Sequence, residues 1–507
     1  MRVACRNLPF ASGGRYARRQ RTEIAAEVQD MPDTSPAPSS ARAIAADIAA
    51  GRTSARAVIA DALARAHAAQ GRLNCFTLIL DDEALAAAEA ADAAVAAGGP
   101  PGPLHGVPVA IKDLTPTRGH LTTLGSHSTG DWVPDRSALV VRRLEAAGAI
   151  VIGKTTTPEF AHSGFTYSPR WGVTRNPWDP ERSPGGSSGG SGAAVAAGVV
   201  PFAEGTDMGG SVRIPAAFCG VVGFKPSLGR IPMTILPSQF DDISHFGPLA
   251  RSVDDAVAFM AATAGPSDED ISSLPLPFDA AATRIDGLAG RRFALSLDLG
   301  YYAVDPAVEA AILAAAETLR RAGAVVEEVR LPWTRAVSDR WLDLWCVFMA
   351  AFQGHRLAEY RDRMDPILVG LIDRGLTLGA AEVKRIEILR SEMWNDLAAV
   401  LAGRDALLCP TCAVPPPPVT LTDDDFAADR PDGRYGGMDM TGPFNLLSPC
   451  PALSLPAGLT PQGLPVGLQI VGHRHADEAV LGLARAIEAA LLEAGLTEAV
   501  RRGPQIG

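Results

Sequence analysis

The sequence predicts an α/β protein, a mixed central β-sheet covered by helices. Three observations carry this expectation. Short apolar runs of strand length alternate with longer stretches of helical period along most of the chain. A chain of 507 residues, 47% of them hydrophobic, can bury a large core without disulfides or a structural metal. No apolar run reaches the ~18 residues a membrane span needs, and the Ala-rich candidates near 193–203 and 480–492 are broken by Gly, Pro or charge.

The opening forty residues differ from the rest. Arg2, Arg6, Arg15, Arg18, Arg19 and Arg21 crowd them, and 35–40 is rich in Pro and Ser. A twin-arginine signal needs an apolar stretch after Arg18 and Arg19, but Glu23, Glu27 and Asp30 fall there. Residues 1–40 therefore read as a disordered leader, or as sequence upstream of a start at Met31. A single domain is expected over 41–500. Within it, Thr53 or Ser54 is the N-cap of a helix over 55–69, Phe76 to Leu80 is a short strand, and 83–97 is a second helix. A strand enters the core over 106–112, a helix follows over 137–148, and 149–152 is a buried strand. Residues 183–192 are almost wholly Ser and Gly, leading into an Ala-rich helix, a strand at 199–204 and a Gly-rich turn at 205–211. Helices at 253–264 and 305–322 alternate with strands at 292–297 and 324–329. Residues 333–403 break this rhythm with long helical patterns that hold four of the seven tryptophans. Strands near 405–408, 451–455 and 464–471 and a helix at 476–494 then restore it.

Charge and cysteine usage narrow the class. With 46 Lys+Arg against 57 Asp+Glu, a formal charge of −11, the chain offers no default surface for nucleic acid. Its seven cysteines are odd in number and scattered, which fits a reducing, cytoplasmic compartment rather than a disulfide framework. Cys409 and Cys412 form a CxxC, but no second pair and no nearby His accompany it, so they read as packing cysteines. Residues 148–155 match the P-loop pattern letter for letter. The four intervening residues, Ala-Ile-Val-Ile, favour a strand where a phosphate loop is required, so nucleotide binding there is the unfavoured alternative. Gly185-Gly-Ser187-Ser-Gly189 matches the nucleophile elbow GxSxG, yet a three-proline loop replaces the strand that should precede it.

A third constellation explains more residues at once. Lys112 ends an apolar strand in a chain with four lysines and 42 arginines. Burial can lower a lysine's pKa far enough to make it a base, whereas arginine stays charged. Downstream, Gly205-Thr-Asp-Met-Gly-Gly-Ser211-Val-Arg-Ile-Pro215 places two glycines before a serine, so that the backbone can turn tightly and aim several N–H groups at one point. An oxyanion hole requires that geometry.

These residues resemble the amidase signature family. The match runs through 106–113, 171–191, 205–215, 218–227 and 247–255, then Phe444-Asn-Leu and 463–472, with Lys-to-Ser and Ser-to-Ser spacings of 75 and 24. It covers roughly 41–495. The resemblance implies a single α/β domain with helices on both faces of a mixed sheet, and a Ser-cisSer-Lys triad. By position, Ser211 is the nucleophile, Ser187 (after a cis Gly186–Ser187 peptide) the proton relay, and Lys112 the base that becomes the acid. Backbone N–H groups of Met208, Gly209, Gly210 and Ser211 would form the oxyanion hole, with Asp207 and Arg213 a supporting ion pair. No metal or organic cofactor is required by this chemistry.

The expected function is therefore hydrolysis of a C–N acyl bond in a small amide-type substrate, without nucleic acid or membrane, by a monomer or homodimer. The alternative within the family is the glutaminase subunit of a tRNA-dependent amidotransferase. Such subunits usually carry Thr and Gln where this chain has Met208 and Ile214, so the apolar pair leans towards an apolar or aromatic acyl group. Residues 333–403 are expected to be a helical insertion on the substrate side.

Overall fold

The structure, a computed structural model, describes residues 39–99 and 101–504, so the expected leader falls outside the described residues except for Ser39 and Ser40. One sheet of eleven strands organises the fold. In chain order these are β1 (Phe76–Ile79), β2 (Pro108–Lys112), β3 (Ile150–Thr155), β4 (Phe202–Asp207), β5 (Val222–Lys225), β6 (His245–Ala250), β7 (Arg292–Leu295), β8 (Val325–Glu328), β9 (Ala406–Pro410), β10 (Ala452–Leu459) and β11 (Pro465–Val471). Their spatial order is β1-β3-β2-β4-β6-β5-β10-β11-β9-β7-β8. The pairings β3–β2, β2–β4, β9–β7 and β7–β8 are parallel and the rest antiparallel, so the sheet is mixed, as expected.

Period-two alternation along the strands explains why both faces need cover. Phe293, Leu295, Ala406 and Leu408 point into one core with the helices Val253–Thr263, Pro306–Arg321 and Asp477–Glu493. Their neighbours Ala294, Leu407 and Cys409 point into another, closed by the helices Ala336–Gln353 and Ala380–Leu401. Local signals set the helix starts. Of the two expected caps it is Ser54 that accepts from Ala57 N, at 3.0 Å.

Three departures from the expected elements bear on the site. The strand expected at 199–204 runs over Phe202–Asp207, because Glu204, Gly205, Thr206 and Asp207 pair with Pro248, Gly247, Phe246 and His245. The glycine-rich turn therefore begins only at Met208. A short helix, Arg213–Cys219, follows it, with Pro215 in the first turn, where no intrahelical N–H bond is lost. Strands β5 and β6 were not expected.

The region 333–403 folds as three main helices, Ala336–Gln353, Pro366–Thr377 and Ala380–Leu401. The first lies against the turn after β4. Trp341 Nε1 donates to Met208 O at 3.1 Å, and Trp345 Nε1 donates to His162 O at 3.0 Å.

Candidate active site

Lys112 closes β2 with its side chain fully buried. Its Nζ donates to Ser187 Oγ at 2.6 Å, Ser188 Oγ at 2.9 Å and Thr206 Oγ1 at 2.9 Å. Three neutral hydroxyls satisfy the three donors but do not neutralise the charge. Burial accordingly pushes the lysine down to about 7, even though the carboxylates of Glu204 and Asp207 pull the other way. Glu204 accepts from Lys112 N and from Thr115 Oγ1, both at 2.9 Å, and burial pushes its own carboxyl up. Glu204 and Thr206 lie two apart on β4, so their side chains share one face of the sheet, and β4 runs parallel beside β2.

Ser187 is fully buried at the foot of the Gly189–Ala196 helix, and the Gly186–Ser187 peptide is cis. The next residue ties this segment to the turn after β4, since Ser188 N donates to Ser211 O at 3.2 Å. Ser211 itself is half-buried. A buried lysine, a buried serine on it, and a partly exposed serine on the adjoining backbone thus occupy one place, although they stand far apart in sequence.

The turn 208–211 is held from below. Asp207 and Arg213 are both fully buried and pair through Nη2 to Oδ1 at 2.9 Å and Nε to Oδ2 at 3.0 Å. Burial opposes ionisation of Asp207, but Arg213 and the Asn445 amide hold its carboxyl well below the usual carboxylate range, and the Gly210 and Val212 N–H groups also donate to it. The remaining Arg213 donors reach Asn445 Oδ1 and Gln469 Oε1, both at 2.6 Å, and Thr441 O at 3.1 Å.

Of the four N–H groups expected to form an oxyanion hole, one has an acceptor within the protein. The Gly210 N–H is already engaged by Asp207 Oδ1 at 2.9 Å. Those of Met208, Gly209 and Ser211 have no protein acceptor among the described residues. Both glycines are required by close approach. A Cβ on Gly209 would lie 2.1 Å from Trp341 Cζ2, and one on Gly210, whose φ is +126°, would lie 1.9 Å from Thr441 Oγ1.

Sequence reading did not single out Ser188, Thr206 and Glu204 around the lysine, or Thr441, Asn445 and Gln469 around Arg213. The period of β4 could have found Thr206 and Glu204, had that strand been drawn two residues longer. Nothing local marks Asn445, which is 232 positions from Arg213. Residues 150–155 of the P-loop match are β3, and Lys154 is buried against Thr115, Thr117 and Thr122. Cys409 and Cys412 are buried, and burial pushes both thiols up, to about 12 for Cys409. His245 is buried beside Asp207 O; burial and the nearby Lys225 charge push it down to about 3, leaving it neutral. Two cavities, of about 410 and 460 Å³, lie elsewhere, and neither is lined by Lys112, Ser187 or Ser211.

Comparison with known proteins places the chain in a family. The amidase family model matches residues 57–481. The chain is 38% identical over 399 residues to an acylamidase of Rhodococcus erythropolis, covering 76% of this chain and 82% of that protein. It is also 36% identical over 484 residues to a glutamyl-tRNA(Gln) amidotransferase subunit from Anaeromyxobacter dehalogenans, covering 88% and 95% of the two. A solved bacterial aryl acylamidase of the amidase signature family superposes with a TM-score of 0.84 at 30% identity, over 91% of this chain and 98% of that one. The chain belongs to the amidase signature family. It is an amide-hydrolysing enzyme. Among the described residues no helix is long and apolar enough to cross a membrane.

Proposed function

We propose that this enzyme is a stand-alone amidase that cleaves the C–N acyl bond of small apolar or aromatic substrates through an acyl-enzyme on Ser211. The observation that carries this reading is the fully buried Lys112 Nζ, 2.6 Å from Ser187 Oγ and pushed down to about 7. Once neutral, its nitrogen lone pair accepts the Ser187 proton, and Ser187 takes the proton of Ser211 as Ser211 Oγ attacks the acyl carbon. The carbonyl oxygen becomes an oxyanion facing the N–H groups of Met208, Gly209 and Ser211. Collapse breaks the C–N bond while the lysine proton returns through Ser187 to the departing nitrogen, without which an amine is a poor leaving group. Water then attacks the acyl-enzyme, giving up its proton along the same relay, and Ser211 leaves with a proton restored. None of these steps calls for a metal or organic cofactor.

The substrate preference rests on what surrounds the nucleophile. Met208 belongs to an apolar cluster whose half-buried members include Leu124, Leu236, Trp341 and Phe348. Two of these come from the region 333–403, which we read as the substrate-side insertion of a single domain over 41–500. An apolar wall of this kind favours aromatic or medium-chain acyl or leaving groups over glutamine.

A second reading, the glutaminase subunit of a tRNA-dependent amidotransferase, is favoured by the 36% identity to such a protein over most of the chain. Product release by the isolated chain distinguishes the two. Our reading expects turnover of an anilide or hexyl amide that exceeds that of glutamine at least tenfold, with Ser211→Ala as the blank; glutamine as the preferred substrate would support the second.

A further inference from the structure

We infer that Trp341, on the helix Ala336–Gln353, is a positioning residue that sets the direction of the Gly209 N–H and thereby completes the oxyanion hole; this inference rests on the amidase reading above. Trp341 Nε1 donates to Met208 O at 3.1 Å. The Met208–Gly209 peptide is trans, since the one cis bond among the described residues is Gly186–Ser187. In a trans peptide the C=O and the following N–H lie in one plane and point in opposite directions. Holding the Met208 carbonyl towards the indole therefore turns the Gly209 N–H away from it. That N–H has no protein acceptor among the described residues.

The next peptide is fixed in the same way. Thr441 Oγ1, which also meets Asp439 Oδ1 at 2.6 Å, lies 2.6 Å from Gly209 O, and the Gly210 N–H, pointing the opposite way in that peptide, meets Asp207 Oδ1 at 2.9 Å. Two successive carbonyls are thus held by side chains from outside the turn. One of the opposed N–H groups is taken up inside the protein and the other is left for the substrate oxygen. The indole also occupies the space that a Gly209 Cβ would enter and packs beside Gly442, whose own Cβ would lie 3.3 Å from the ring. The turn therefore cannot shift towards the helix without displacing Trp341. A donor whose direction is fixed before the reaction needs no reorganisation when charge develops on the oxygen, which is the condition for oxyanion stabilisation.

The test compares Trp341→Phe with Trp345→Phe. Both remove an indole N–H from the same helix, but Trp345 donates to His162 O and not to a carbonyl of the turn. For each variant, kcat and KM on an anilide are measured together with the affinity for a trifluoromethyl ketone, which forms a tetrahedral oxyanion adduct on the serine. Trp341→Phe should lower kcat by roughly 10- to 100-fold at a KM within twofold of wild type, below the full loss of one donor, and weaken the ketone by the same factor. Trp345→Phe should leave the ratio of ketone affinity to KM unchanged. Ketone affinity within threefold of wild type in Trp341→Phe overturns the inference, as does a matching loss of ketone affinity and rise in KM. Unchanged anilide turnover in Ser211→Ala would instead remove the amidase reading, and the inference with it.

Discussion

Lys112 Nζ sits 2.6 Å from Ser187 Oγ with both side chains sealed from solvent. Among the described residues the lysine has no direct carboxylate partner in that position, which is the arrangement that depresses an amine's pKa. Lys112→Arg should therefore be nearly as inactive as Lys112→Ala, because a guanidinium stays charged and cannot take the Ser187 proton. Anilide turnover measures this. An arginine variant retaining a tenth of wild-type activity would show that charge alone is needed.

The pH dependence follows from the same shift. The base is the neutral amine, which predominates above the folded pKa of about 7. Activity as kcat/KM should fall tenfold per unit below that value and level off above it. Thr206→Val removes one of the hydroxyls that accept from the ammonium, the Thr206 bond being 2.9 Å. Losing a bond to the charged form lowers the pKa, so the acid limb should move to lower pH by about one unit. A limb that stays in place would separate Thr206 from the base.

No histidine should be essential. His245 is neutral across the working range, and His473 is exposed and bonded to Arg404 O. His473→Ala and His245→Gln should each retain more than about one hundredth of wild-type kcat, a loss too small for a sole general base. An inactive His473→Ala would point to a histidine triad.

The ion pair beneath the turn makes a stability prediction. Asp207→Asn leaves the Arg213 guanidinium without its charge partner in a dry interior, where breaking a buried pair costs about 3–5 kcal/mol. Urea unfolding should register a loss of that size, and a loss below about 1 kcal/mol would mean that Asn445 and Gln469 suffice.

Substrate size tests the apolar wall. Each methylene buried contributes about 0.8 kcal/mol, so kcat/KM should rise about fourfold per carbon along a series of linear amides until the pocket fills. Acetamide or glutamine turned over as fast as an anilide or hexyl amide would show that the apolar wall does not select the substrate.

What the sequence made legible follows from where the signal is local. Strands β2, β9 and β11 are apolar runs and were expected close to their observed bounds, whereas β3, expected at 149–152, continues through Gly153 and Lys154 to Thr155. Strand β4 was displaced because its last four residues, Glu-Gly-Thr-Asp, are polar or glycine, yet are fully buried by pairing with β6. Strands β5 and β6 carry Gly223, Gly247 and Pro248, which break the periodicity that marks a strand. In the site, the positions assigned to Lys112, Ser187 and Ser211 came through family spacing and motif. Trp341 and Thr441 could not be found that way, because their roles depend on a backbone path that brings residues 133 and 232 positions apart into hydrogen-bond contact.

Site-resolved trapping of the nucleophile reads the roles of Ser211 and Lys112 in one experiment. The protein is incubated with a fluorophosphonate and the adduct located by peptide mass spectrometry, with Lys112→Ala in parallel. A single adduct on Ser211 is expected, formed at least 100-fold more slowly in Lys112→Ala because that variant lacks the base. An adduct on Ser187, or labelling of Ser211 at the same rate without the lysine, would contradict those roles.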